Sequence, residues 1–139
     1  MYCNYISIIT MRPSAIVFAL VTYLVLDLIY ISLISNYFQN QIIDVQRVKL
    51  TPNYYAANAC YVFIMFAFYY FILRPQKSPF DAAILGLAIY GVFELTNFAL
   101  FKKWRIETVI IDTLWGGLAL SLATFITYRV YGYTFDLSI

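Results

Sequence analysis

The sequence predicts an all-α polytopic membrane protein, with four transmembrane helices in one bundle. Two observations carry that prediction. The 139 residues are 63% hydrophobic and only 12% charged, with a mean hydropathy of +0.77, leaving too little polar surface to disperse a soluble domain. The apolar residues also fall into four stretches, at about 14–36, 54–73, 81–101 and 106–130, each near or above the ~18–20 residues that cross a bilayer. Residues 1–13 form an N-terminal leader and 131–139 a C-terminal tail.

Each helix carries its own punctuation. Pro13 can open the first. Thr51-Pro52 offers the second an N-cap followed by proline, and Arg74-Pro75 stops it. Ser78-Pro79-Phe80-Asp81 opens the third with a capping-box pattern. Tyr54-Tyr55 and Tyr69-Tyr70 bracket the second stretch, where aromatic belts meet headgroups, and Trp104, Tyr128, Tyr131 and Tyr133 mark other interfaces. An even number of crossings places both termini on one side. Four basic residues (Arg12, Arg74, Lys77, Arg129) share that side, against five (Arg47, Lys49, Lys102, Lys103, Arg105) on the other. The compact Lys102-Lys103-Trp104-Arg105 cluster favours a cytoplasmic location for loops one and three.

Several function classes are excluded or disfavoured. A net charge of +2 is too small to point to nucleic acid. With no histidine, haem and the common zinc sites lack their usual ligand, and there is no glycine-rich phosphate loop, so no cofactor is expected. Cys3 and Cys60 have no zinc or redox spacing. Cys60 reads as packing, and Cys3 as a bystander or a palmitoylation site. The first 13 residues lack the pattern of a cleaved secretory signal.

A faint internal repeat runs through the chain. AIVFALVTYLVLDLIY (15–30) aligns without gaps on AAILGLAIYGVFELTN (82–97), with five identities in sixteen and Asp27 falling on Glu94. A true duplication would relate helices one and two to three and four about an axis along the membrane normal.

Three acids interrupt the apolar spans: Asp27, Glu94 and Asp112. At 1.5 Å per residue, Asp27 lies ~14 Å, Glu94 ~10 Å, Asp112 ~9 Å and Asn58 ~6 Å from the face carrying loops one and three. Although successive helices reverse direction, all four place a polar group in the same half of the bilayer. An acid facing lipid costs roughly 2.5–3.5 kcal/mol even on the lenient insertion scale, so a shared polar site is the economical arrangement. Tyr90 and Asn97 flank Glu94 at i−4 and i+3, Tyr23 and Tyr30 flank Asp27 in the same way, and Trp115 follows Asp112 at i+3. Ala82 with Gly86, and Gly117 with Ser121, have the spacing of close helix contacts, and Gly116-Gly117 would admit a neighbouring backbone. Two readings of the acids stand together. They lock helices by hydrogen bonds, or they form a site, because neighbouring acids repel unless protonated, paired with a cation or bound to metal.

Leu26-Asp27, the segment ELTNFALFKKW (94–104) and DTLWG (112–116) resemble the motifs of an uncharacterised family of small four-pass membrane proteins, domain of unknown function 2177, from bacteria and large DNA viruses. The resemblance spans about residues 12–132. It implies that Asp27, Glu94, Thr96, Asn97, Trp104, Asp112, Trp115 and Gly116 occupy signature positions. Glu94 replaces the family's usual aspartate, keeping the charge and shifting the carboxyl. No reaction comes with the resemblance, so the metal question stays open.

Three functions compete. The first is a structural or scaffolding role in a cellular membrane or a virion's internal membrane, with the lipid bilayer, further copies of the chain, or neighbouring membrane or capsid proteins as partners. The second is a pathway for protons, cations or small solutes through the acids. The third is a lipid-active enzyme, with Lys102, Lys103 and Arg105 on an anionic headgroup or partner, although no nucleophile stands out. The sequence favours the scaffold, with the pathway second and an enzyme less favoured.

Overall fold

The computed structural model describes residues 10–135, so Cys3 lies outside the described residues. Four helices follow one another: α1 (Pro13–Gln46), α2 (Tyr54–Phe68), α3 (Pro79–Leu100) and α4 (Ile106–Tyr131). The last turns of α2 widen into a π-helical segment, Tyr69–Leu73. All four are long and apolar enough to cross a membrane, and among the described residues there is no strand.

The caps follow local chemistry. Pro13 opens α1, where its missing N–H costs no hydrogen bond. Ser78 and Asp81 form a reciprocal capping box, with Ser78 Oγ accepting from Asp81 N at 3.1 Å and Asp81 Oδ2 accepting from Ser78 N at 3.1 Å. The second helix departs from expectation. Its N-cap is Asn53 rather than Thr51, because the Asn53 side-chain oxygen reaches the N–H groups of Tyr55 (3.1 Å) and Ala56 (3.2 Å). At Arg74-Pro75 the helix stops, and Gln76 turns the chain with φ 52°.

The largest departure is the length of α1. It runs to Gln46 rather than to about residue 36, because no glycine or proline lies between residues 14 and 51. Thirty-four residues span ~51 Å, far more than a ~30 Å hydrocarbon core. The extra turns end at Arg47 in the left-handed region (φ 63°). They are held against the start of α4, where Arg105 pairs with Asp44 at 2.8 Å and Thr108 bonds Gln41. Depth counted from the end of α1 therefore misplaces Asp27, whose level is set by its partners on other helices.

The tightest packing joins α3 to α4. A methyl group on Gly86 would strike the backbone of Gly116 and Gly117, and one on Gly116 would strike the ring of Tyr90. The absence of those side chains lets two backbones touch, as the small-residue spacing implied. On the side of the chain ends, buried alanines (Ala15, Ala19, Ala119, Ala123) and the larger Phe68 and Leu120 form a dry core. Tyr128 Oη donates to Lys77 O at 2.8 Å, and Arg12 N donates to Tyr133 Oη at 2.8 Å. The two ends of the described chain therefore meet on one side.

Helix α2 is the loosest member. Residues 54–60 are all exposed, and the helix joins the bundle through Tyr61, Ile64, Phe68, Ile72 and Leu73. Cys60, expected to pack, is exposed instead. In a bilayer that apolar face meets lipid, which needs no protein partner.

Candidate functional site

Asp27 is 4% exposed and is held by the other three helices. Its Oδ1 accepts from Tyr90 Oη on α3 at 2.9 Å and from Trp115 Nε1 on α4 at 2.9 Å, and its Oδ2 accepts from Tyr61 Oη on α2 at 2.6 Å. Behind Tyr90 stands Tyr23, with hydroxyls 2.8 Å apart. Since Tyr90 gives its proton to Asp27, Tyr23 must be the donor in that pair.

The other two acids are neighbours across the α3–α4 interface. Glu94 Oε2 accepts from Trp104 Nε1 at 2.8 Å, and Asp112 Oδ1 accepts a short hydrogen bond from Tyr30 Oη. Glu94 and Asp112 lie near enough to interact electrostatically, and two like charges so placed repel. Glu94 Oε1 meets no N–H or O–H donor among the described residues. The rings of Tyr30 and Trp115 stack at 4.4 Å and 10°, between the two sets of acids. One of the stacked pair donates to Asp112 and the other to Asp27.

The donors thus cross between helices. Tyr90 shares a helix face with Glu94 but bonds Asp27, Trp115 shares one with Asp112 but bonds Asp27, and Tyr30 shares one with Asp27 but bonds Asp112. Side chains at i±3 and i±4 point the same way, so an aromatic donor reaches the acid opposite more readily than the one beside it. Asn97 is half-buried and Asn58 exposed, and neither bonds an acid. Thr96 is exposed and returns its hydroxyl to Val92 O at 2.6 Å. Lys102 and Lys103 are exposed, and Gly116 lies under Tyr90. Among the described residues, no three His, Cys, Asp or Glu side chains gather closely enough to hold a metal ion.

Tyr61, Gln41 and Thr108 belong to this polar system although no motif marked them. The signal for Tyr61 was a hydroxyl in the middle of an apolar helix, which needs an acceptor. Thr108 Oγ1 donates to Gln41 Oε1 at 2.5 Å, both side chains are fully buried, and Gln41 Nε2 has no acceptor among the described residues. One turn on, Arg105 lies over the Tyr37 ring at 5.3 Å while paired with Asp44. The hydrogen bond to Asp44, and then that to Tyr37, raises the Arg105 pKa and keeps the guanidinium charged.

A cavity of about 430 Å³ opens onto the acids. Asp27, Tyr30, Tyr90 and Asp112 form its floor, and Ile31, Phe38, Leu50 and Phe93, with the polar Ser35 and Gln39, line its walls. Phe93 is 59% exposed, Ile31 46% and Leu50 43%, so the mouth lies between the outer faces of α1 and α3 and the loop that follows α1. Polar groups continue from the acids towards Arg105. In the other direction they meet the dry core, where Thr124 and Thr127 spend their hydroxyls on the carbonyls of Leu120 and Ala123.

No curated protein and no solved structure matches the chain. A family model described as a predicted membrane protein, DUF2177, matches residues 13–129, a range that holds all four spans but for the last two residues of α4, and every acid of the site. The chain is a member of that family, an integral, multi-pass membrane protein.

Proposed function

We propose that the protein binds a small solute within the bilayer, as a carrier does, using Asp112 as the binding acid, Glu94 as the buried charge behind it, and Asp27 as the lock that holds the bundle. The cavity carries this reading: about 430 Å³ of space ends on Asp27 and Asp112. That volume falls within the ordinary range for small-molecule sites, which are mostly apolar with a few convergent polar groups. The acids differ in what they have left to give. Asp27 has three neutral donors and touches every helix, which suits a structural role. Asp112 has one tyrosine donor and an acid beside it.

A pure scaffold accounts for Asp27 but gives no reason for a cavity over buried acids, each of them costly in a membrane. Mass spectrometry of the protein purified in native lipid tests the reading. A small molecule should co-purify with the wild type and be lost in Ser35→Phe, which fills the cavity from its wall. If the two preparations carry the same small molecules, the scaffold is the better account.

A further inference from the structure

We infer that the solute is a lipid-soluble amine, which seats its ammonium group against Asp112 and lays its hydrocarbon tail along Phe93 and Ile31 into the bilayer. This rests on the binding reading above and specifies its ligand.

Three observations converge on that chemistry. First, the protons of the floor are already committed. Tyr90 and Trp115 donate to Asp27, and Tyr30 donates to Asp112. What remains open to the cavity there is oxygen lone pairs, so a ligand must bring donors. Second, no base balances the acids. Among the described residues no lysine or arginine is buried, and the nearest layer's arginine, Arg105, is paired with Asp44. A carboxyl pair without a base in low dielectric favours a cation over a neutral donor and repels an anion. Third, the walls are mostly apolar, Ser35 and Gln39 apart, and Phe93 and Ile31 both line the cavity and are exposed at its mouth, on helices that span the bilayer. A small hydrated cation gains nothing from such walls, whereas a tail gains burial along its length. An ammonium group also presents three N–H donors in a compact head, which suits a floor of carboxyl and phenol oxygens.

The protein supplies its own probe. Its two tryptophans, Trp104 and Trp115, bond directly to Glu94 and Asp27, so a ligand at the acids should perturb their fluorescence. Decylamine, decanol and decanoic acid would be titrated into the protein in phosphatidylcholine nanodiscs, with Ser35→Phe as the cavity-filled reference. The expected result is a saturable change with the amine that Ser35→Phe lacks. Decanol should bind at least tenfold more weakly than the amine, and decanoic acid should not bind. Asp112→Asn should weaken the amine about tenfold and leave the alcohol unchanged. Glu94→Gln, with an amide that still accepts from Trp104, serves the same purpose if Asp112→Asn fails to fold.

Equal or tighter binding of alcohol or acid would overturn the amine assignment while leaving the binding site in place. If all three compounds behave alike in the wild type and in Ser35→Phe, the binding reading fails and the amine falls with it.

Discussion

The hydroxyls of Tyr23 and Tyr90 lie 2.8 Å apart, and these two residues occupy the same position in the internal repeat. Their neighbours correspond as well: Ala15 with Ala82, Ala19 with Gly86, and Asp27 with Glu94 are all buried. Equivalent residues meeting at one point is what an axis along the membrane normal, passing between α1 and α3, would produce. The equivalence then breaks at the acids. Asp27 collects three donors, whereas Glu94 collects one and keeps an oxygen without one. Two positions of common pattern have taken different work.

Removing the two hydroxyls should have unequal effects. Tyr90→Phe takes a donor from Asp27 and strands the proton of Tyr23, whereas Tyr23→Phe removes only the outer bond. With intramembrane hydrogen bonds averaging ~0.6 kcal/mol, the outer change should cost about that much. The inner change should cost about twice as much. Unfolding titrations in mixed micelles measure both, and equal losses would mean that the chain from Tyr23 to Asp27 is not a unit.

The acids should separate by role. Asp27→Asn turns an NH₂ group towards at least one of three donors, and should destabilise the bundle by roughly 1–3 kcal/mol. Glu94→Gln should fold almost normally, because an amide oxygen can still accept from Trp104. Thermal unfolding in detergent ranks the two. A Glu94→Gln loss as large as that of Asp27→Asn would contradict the division between lock and site.

Gly86→Ala should prevent tight docking of α3 on α4, since the methyl group would meet backbone rather than a flexible side chain. Gly132→Ala meets nothing within 4 Å, and its only burden is a φ of +70°, worth ~1–2 kcal/mol. Crosslinking between cysteines placed at Gly91 and Thr113, which face each other across α3 and α4, should fall sharply in the first variant and persist in the second.

The long end of α1 should depend on Arg105. Asp44 raises the Arg105 pKa, so the pair's contribution is complete below the ordinary arginine value and lost only as pH rises through the still higher folded value. Alkaline solutions up to pH ~9 should leave it intact, while salt should weaken it because both partners are partly exposed. In Arg105→Gln, amide exchange across residues 37–46 should accelerate at low salt and approach the wild-type rate at high salt. A wild-type exchange rate insensitive to salt would show that Thr108 and Gln41 hold this segment without the ion pair.

The sequence alone determined that the chain is a four-helix membrane protein, where α3 starts, and which acids fall within the apolar spans. Those features are local or compositional: hydropathy over ~20 residues, a Ser-Pro-x-Asp cap, and a charge that lipid makes conspicuous. It also marked Gly116-Gly117 as a place for close approach, because only glycine leaves a backbone bare. Which donor serves which acid was decided by the tertiary structure. Tyr30, Tyr90 and Trp115 each neighbour one acid along their own helix and bond another across the bundle, and helix rotation sets that choice. The extension of α1 likewise depends on α4, whose Thr108 and Arg105 supply partners for Gln41 and Asp44. The cavity has no sequence signature at all. It exists because α2 joins the bundle only through its later half, and because α1 and α3 come together at tyrosine tips rather than at their backbones.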